Sequence, residues 1–211
     1  MYAQDFIEAL KKHGGPRGVP AGTIFALSKK FVEMPPEAIA ELLDSPIFEV
    51  RAGGFSIIDK QAALKKTTPE RIKELYEVYI KRTNAIDDWR LVDVSCRYTM
   101  GRYLIDKPRT VLYGLAESKS VWERRLAIVS TWYFIRANDT TDTFGIAGKL
   151  LKDPEETIHK AVGWMLREAG NKNEAGLCDF LDKHASAMPR VMLRSAIERL
   201  SAEQKRRYLS L

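Results

Sequence analysis

Residues 121–132 read VWERRLAIVSTW, and two other stretches share their pattern: IFEVRAGGFSII at 47–58 and TIHKAVGWML at 157–166. Each opens on bulky or aliphatic side chains, passes through polar positions and a basic residue, and closes on an apolar run. Superimposing the basic residues pairs Arg51, Arg125 and Lys160, 74 and 35 positions apart. The first interval is two periods, so the chain repeats every thirty-odd residues. Two helices per unit at that period mark a HEAT-like or related helical repeat. Stacked units of this kind bury one face of each helix pair and line a concave surface with equivalent positions. The expected architecture is therefore an all-α helical-repeat solenoid, an α-α superhelix, in which Arg51, Arg125 and Lys160 gather into one basic stripe.

Helix-start signals support this reading along the chain. Ser120 with Glu123 has the spacing of a capping box, and Ser201 with Gln204 repeats it. Asp153, Pro154 and Glu156 offer a cap, a first-turn proline and a first-turn acid before TIHKAVGWMLREAG. Thr68-Pro69 opens PERIKELYEVYIKR, where Ile72, Leu75, Tyr76, Val78 and Tyr79 trace an apolar stripe at helical spacing. Pro35-Pro36 opens PEAIAELL. Strand-like alternation bounded by hairpin turns is nearly absent. The glycines of HGGPRG, AGG and AGN read as turns or tight packing, and HGGPRGVP as a connection between helices. About a dozen short helices in a single domain, residues 1–211, are expected.

The chain has 211 residues, 45% hydrophobic and 29% charged, which suits a globular protein with one sizeable domain and a filled core, or two small ones. MYAQDFIEALKKHGG is too acidic and too short of apolar residues for a signal peptide. No stretch reaches the roughly 18 to 20 apolar residues of a membrane span. Cys96 and Cys178, far apart, suggest no disulfide framework and fit a reducing cytosol. A cytoplasmic, monomeric protein is expected. Net charge is +6, which suits a polyanionic partner if the cations share one surface.

Several chemistries drop out. His13, His159 and His184 lack the spacing to cysteines or acids that a metal site needs. HGGPRGVP matches neither a Walker loop nor a dinucleotide fingerprint. No serine sits in a nucleophile elbow, and neither cysteine has a base beside it in sequence. What remains is aromatic and charged. In DDWRLVD (87–93), Trp89 and Asp93 are one helical turn apart and share a face, with Leu91 and Val92 available as core and Asp88 as N-cap. Trp122 and Trp132 sit within one amphipathic helix and, with Trp164, also fit core positions. Arg124 and Arg125 are adjacent on one helix and cannot both point the same way.

DDWRLVD followed by VSCRYTMGRYL, then VWERRLAIV, then HKAVGWMLREAG, resembles the bacterial DNA alkylation repair family, the AlkD-like DNA glycosylases built of HEAT-like repeats. ELLDSPIFEVRAGGFSIID resembles the family's second repeat region, and the similarity spans about residues 18 to 200. The resemblance places the family's catalytic carboxylate on Asp93, its companion tryptophan on Trp89, a second site tryptophan on Trp164 and a backbone-contacting arginine on Arg125. Many relatives read W-D-x-V-D, whereas here Arg90 follows Trp89, and the tyrosine that relatives carry on an early helix falls near Ala9. The implied substrate is duplex DNA with cationic N3- or N7-alkylated purines, and the implied reaction is hydrolysis of the N-glycosidic bond with neither metal nor organic cofactor. Arg51, Arg90, Arg97, Lys119, Arg124, Lys160 and Arg194, with Arg102, are the cations expected to hold DNA without sequence preference. Two other readings remain open: a catalytically silent relative that binds distorted or branched DNA, and a helical-repeat scaffold for another protein.

Overall fold

The computed structural model describes residues 2–14 and 17–211, so Gly15 and Pro16 of the glycine-rich connection lie outside the described residues. Among those described, every regular element is a helix. The chain divides into two compact units, Met1–Asp106 and Lys107–Leu211. Unit 1 runs α1 (Ala3–Lys11), α2 (Ala21–Ser28), α3 (Pro36–Leu43), α4 (Phe48–Ala63), α5 (Pro69–Ile80), α6 (Trp89–Asp93) and α7 (Cys96–Leu104). Unit 2 runs α8 (Thr110–Ala116), α9 (Val121–Ser130), α10 (Trp132–Arg136), α11 (Thr141–Leu150), α12 (Glu156–Gly170), α13 (Glu174–His184), α14 (Arg190–Ala196) and α15 (Ala202–Leu209). Short 3-10 turns occupy Lys29–Phe31, Thr83–Ala85 and Ala185–Ala187.

Each unit is organised by one long helix. α4 packs against α2, α3 and α7, and α12 against α9, α11 and α14. Glycine makes the closest approaches possible. A methyl group at Gly53 would sit 2.2 Å from ring carbons of the fully buried Phe6, so AGG is a groove in the middle of α4 and not a turn. At Gly163 it would meet the backbone oxygen of Met192 at 2.7 Å, where α14 crosses α12. Glycine inside a helix costs about 1 kcal/mol relative to alanine. Burying a phenylalanine stabilises by roughly 1.5–3 kcal/mol, which outweighs that cost.

The helix starts fall largely where the sequence puts them. Thr68 accepts a bond from Arg71 N at 3.3 Å, and Ser201 and Gln204 form both bonds of a capping box. Pro36 begins α3, and Asp88 caps α6 by accepting from Arg90 N at 2.8 Å. Three expectations need correction. Ser120 does precede α9, but its side chain makes no cap; Ser118 Oγ instead donates to Glu123 and accepts from Ser120 N at 3.0 Å. α12 starts at Glu156 and not at Pro154, because the Asp153 carboxylate takes the N–H of Glu155 and the guanidinium of Arg124. Trp122 and Trp132 belong to separate helices, α9 and α10, and both are half-buried.

The repeat register also shifts. Arg51 Nη1 donates to the carbonyl of Ser45 at 3.0 Å, and Arg124 Nη1 to the carbonyl of Ser118 at 3.0 Å. His159 Nε2 lies 2.6 Å from the carbonyl of Asp153 and must carry the ring proton there. Each is the fourth residue of its helix bonding the carbonyl six residues back. The equivalent positions are therefore Arg51, Arg124 and His159. Arg125 and Lys160 sit one place further on, and the stripe Arg51–Arg125–Lys160 is not a set of equivalent sites. The sequence pattern matches basic character; the fold matches the group that ties the preceding loop to the first turn.

Candidate functional site

The helix that carries Trp89 and Asp93 is only five residues long, too short to be stable alone. It persists because its surroundings hold it at several points, all within unit 1. Leu91 and Val92 are fully buried beneath it. Arg51, from the first turn of α4, reaches Asp87 at 2.5 Å, immediately before the N-cap. Arg90 folds back onto Asp88, with Nε and Nη2 each 2.8 Å from a carboxylate oxygen, and lies 4.6 Å from the ring centroid of Phe48 at the start of α4. At the other end, Ser95 Oγ bonds the carbonyl of Leu91 at 2.5 Å and meets the buried Tyr79 hydroxyl at 2.8 Å. Burial pushes the Tyr79 phenol far above its ordinary range, with Cys96, Asp59 and Asp93 adding to the effect while its bond to Ser95 works the other way.

α7, which follows directly, is held by a carboxylate that sequence reading missed. Asp59 of α4 is buried, and its Oδ1 accepts from Tyr98 N at 2.8 Å and Thr99 N at 3.0 Å. Burial raises its pKa; the two backbone N–H bonds, the Arg97 charge and the Thr99 hydroxyl oppose the rise. The signal was an aspartate in the apolar run GFSIID. α4 thus positions both α6, through Arg51 and Phe48, and α7, through Asp59. Asp93 stands at the joint between them.

On this frame Trp89 is 50% exposed, the most exposed tryptophan of the chain's described residues, and Asp93 is half-buried one turn later. The neighbouring side of α6, with Arg90, Leu91 and Val94, closes a cavity of about 350 Å³ whose other walls include Phe25, Phe48 and Ala52. Cys96 is fully buried and reads as packing. Within unit 2, Trp164 is half-buried on α12, and Arg125 is 6% exposed, its Nη1 donating to the Thr157 carbonyl at 2.7 Å and hydroxyl at 3.2 Å.

The cations expected at a DNA surface divide sharply. Arg51 is buried and committed to Ser45 and Asp87. Arg124 is committed to Ser118, Lys119 and Asp153. Arg102 donates to the carbonyls of Ala62, Leu64 and Thr67, closing the C-terminus of α4. These three are structural in this arrangement, since moving any of them to a phosphate breaks bonds that tie helices together. Arg90 is exposed but engaged with Asp88, and Lys160 is exposed and 2.6 Å from Glu156. Lys119 and Arg194 are exposed, and Arg97 is half-buried. Among the described residues no group of three or more His, Cys, Asp or Glu side chains is placed to hold a metal ion. No described helix is long and apolar enough to cross a membrane.

The profile of the DNA alkylation repair enzyme family matches residues 3–200. The chain belongs to that family. A solved structure of a predicted DNA alkylation repair enzyme from Enterococcus faecalis has a similar fold, with a TM-score of 0.67 at 15% identity over 96% of this chain and 98% of that one. No curated protein matches the sequence. The helical architecture read from the repeats and the resemblance read from DDWRLVD, VWERRLAIV and HKAVGWMLREAG therefore lead to the same family.

Proposed function

We propose that this member of the family is a DNA glycosylase that removes cationic N3- or N7-alkylated purines from duplex DNA, with Asp93 as its catalytic carboxylate. The observation that supports the reading is the presentation of α6. A five-residue helix is pinned by Arg51, Ser95 and two buried aliphatic residues, while the face left outward carries a tryptophan and a carboxylate one turn apart. A core helix has no use for a half-exposed tryptophan held this firmly.

The chemistry needs little more from the protein. Alkylation at N3 or N7 gives the purine a positive charge, so the base leaves without prior protonation. Ordinary glycoside hydrolysis uses a second carboxyl group to protonate the leaving oxygen; here that requirement is absent. As the N-glycosidic bond lengthens, the bonding pair departs with the base, which becomes neutral, and positive charge spreads over C1′ and the ring oxygen of the sugar. An ionised Asp93 stabilises that charge and orients a water. The water's oxygen bonds to C1′ and its proton passes to the carboxylate or to solvent. Trp89 offers the sugar an apolar wall and a π face. The family resemblance also assigns a site role to Trp164 and a backbone-phosphate contact to Arg125, both in unit 2; Arg125 would have to release Thr157 to make that contact. Residues 1–211 act as one monomeric, cytoplasmic domain that joins the nucleoid when bound to DNA, without metal or organic cofactor.

The deciding experiment compares release of N7-methylguanine and N3-methyladenine from duplex DNA by the wild type and by Asp93→Asn. The near-isosteric variant is expected to keep duplex binding and lose base release by at least about two orders of magnitude, the usual effect of removing a group that stabilises transition-state charge. No release by the wild type, together with tight salt-sensitive duplex binding, would replace this reading with that of a silent DNA-binding relative.

A further inference from the structure

The chemistry proposed for Asp93 makes no use of the cavity of about 350 Å³ beside α6. Its apolar lining comes from Ile24 and Phe25 of α2, Phe48 and Ala52 of α4, and Leu91 and Val94 of α6 and its C-cap, all within unit 1. Two charged side chains complete it, Arg90 and Glu49. Arg90 is already matched. Its Nε and Nη2 each meet an Asp88 carboxylate oxygen at 2.8 Å, and its guanidinium lies 4.6 Å from the ring centroid of Phe48. Glu49, in the first turn of α4, is matched only in part. Its Oε1 accepts from Gly18 N at 2.6 Å, which fixes the side chain against the loop before α2. Among the described residues its Oε2 accepts no hydrogen bond, and no cationic side chain lies within 4.0 Å of the carboxylate.

An apolar chamber with one fixed acceptor defines a class of ligand. The volume lies at the small end of ligand sites, roughly 300–1,000 Å³. Aromatic and aliphatic walls take a flat ring, and a carboxylate oxygen with unused lone pairs takes N–H donors and repels phosphate. We propose that this cavity binds a free purine base through an exocyclic amino group, and that its occupant is the alkylpurine excised at Asp93. The identity of the occupant rests on the proposed glycosylase reaction; the purine site itself does not. At about 3.6 residues per turn, Arg90 lies between the Trp89–Asp93 face of α6 and the side that carries Val94 and Leu91. The departing base has only to round Arg90 to enter the cavity. There Glu49 accepts from the amino group of 7-methylguanine or 3-methyladenine, both neutral once the N-glycosidic bond has broken. A base retained beside the reacting face delays the next turnover, so the free base is a product inhibitor.

The test titrates the ¹⁵N-labelled full chain with 7-methylguanine and follows the Gly18 amide, whose N–H is held by Glu49. 7-Methylxanthine is the control, since it keeps the ring and the methyl group but sets a carbonyl where the amino group stood. Saturable shifts at Gly18, Phe25 and Phe48 are expected with 7-methylguanine. Affinity for 7-methylxanthine should be lower by about tenfold or more, the worth of one hydrogen bond to a charged acceptor. Glu49→Gln keeps an oxygen for Gly18 N and should remove that preference. Ala21→Phe, at an exposed position of the cavity wall, should abolish binding without lowering the melting temperature. In release of N3-methyladenine from duplex, added 7-methylguanine should slow the wild type and leave Ala21→Phe unaffected. Equal affinity of the wild type for the two bases, or no shift at Gly18, would overturn the site. Shifts with inorganic phosphate that strengthen in Glu49→Gln would overturn it in favour of an anion site. Base binding that leaves release uninhibited would overturn the excised base as occupant. A wild type that releases no base from alkylated duplex would sink the proposed function, while the titration still decides the purine site.

Discussion

Arg51 in unit 1 and Arg124 in unit 2 occupy the same place in their helices and bond the same carbonyl, six residues back, at the same 3.0 Å. Each also takes a carboxylate from further along its unit, Asp87 for Arg51 and Asp153 for Arg124. The surroundings differ. Asp87 has 60% of its side-chain surface exposed, whereas Asp153 has 4%. An exposed carboxylate that loses its partner turns to water; a buried one keeps its charge in a medium that solvates it poorly. A single repeated bond therefore has two different values, and burial of the acceptor sets them. It also separates two jobs: Arg124 holds a loop in the interior of unit 2, while Arg51 tethers the start of the helix that displays Trp89.

The sharpest way to break this comparison is to remove both arginines separately. Arg124→Met is expected to destabilise the protein by roughly 3 kcal/mol, since it leaves Asp153 buried with only the Glu155 N–H as compensation on its carboxylate. Arg51→Met should cost about 1 kcal/mol, and its larger consequence should be for base release through a loosened α6. Urea unfolding of both variants decides this, provided each unfolds in one step. Equal losses would mean that burial of the carboxylate is not the controlling variable.

A second contrast lies between the two long helices. Gly53 of α4 faces an aromatic ring, which can tilt; Gly163 of α12 faces the backbone of Met192 and the Cβ of Ser195, which cannot. Gly163→Ala should therefore destabilise by about 2 kcal/mol despite alanine's better helix propensity. Because Trp164 is the next residue, the same substitution should disturb its fluorescence. An unchanged melting temperature would show that α14 can slide away from α12 without loss.

The architecture was legible because a repeat announces itself several times over. Helix periodicity, cap residues and recurring apolar runs pointed the same way in VWERRLAIVSTW, IFEVRAGGFSII and TIHKAVGWML, and Trp89 and Asp93 followed from simple helical geometry. What was not legible is whether a side chain faces protein or solvent. Arg51 and Arg124 look like any other surface arginine in sequence, yet their partners, Asp87 and Asp153, lie 36 and 29 residues away. The one-residue error in the repeat register has the same origin, since pairing Arg51 with Arg125 maximises chemical likeness whereas the fold pairs positions that reach a carbonyl. His159 could not have been matched to two arginines without knowing that shared acceptor. Asp59 was the one hidden partner that left a trace, as a charge inside an apolar run.

Asp59 offers a smaller and more specific test of how unit 1 holds its carboxylates. Its folded pKa lies above the unfolded value of 3.8, so the native state binds the proton more tightly. Its contribution to stability is greatest below 3.8 and is lost as pH rises from there through the folded pKa. Asp59→Asn keeps an Oδ1 that accepts from Tyr98 N and Thr99 N but has nothing to ionise. Its stability at neutral pH should lie within about 1 kcal/mol of the wild type, and that descending component should vanish from its pH profile. A profile parallel to that of the wild type would place the raised pKa elsewhere.

The smallest effect on stability is expected where the proposed effect on function is among the largest. Trp89 is half-exposed on a helix whose buried contacts come from Leu91 and Val92, so Trp89→Ala should change stability by no more than about 0.5 kcal/mol. If its ring faces the developing cation of the sugar, removing it should cost about 1.4 kcal/mol in the transition state, a fall of roughly tenfold in base release. Trp89→Phe should recover part of it, since a smaller π face remains. The pair of measurements sets the cost of losing Trp89 to folding against its cost to base release. A Trp89→Ala protein that unfolded readily would instead assign the tryptophan to packing, and the outward face of α6 would lose its strongest argument for being a site.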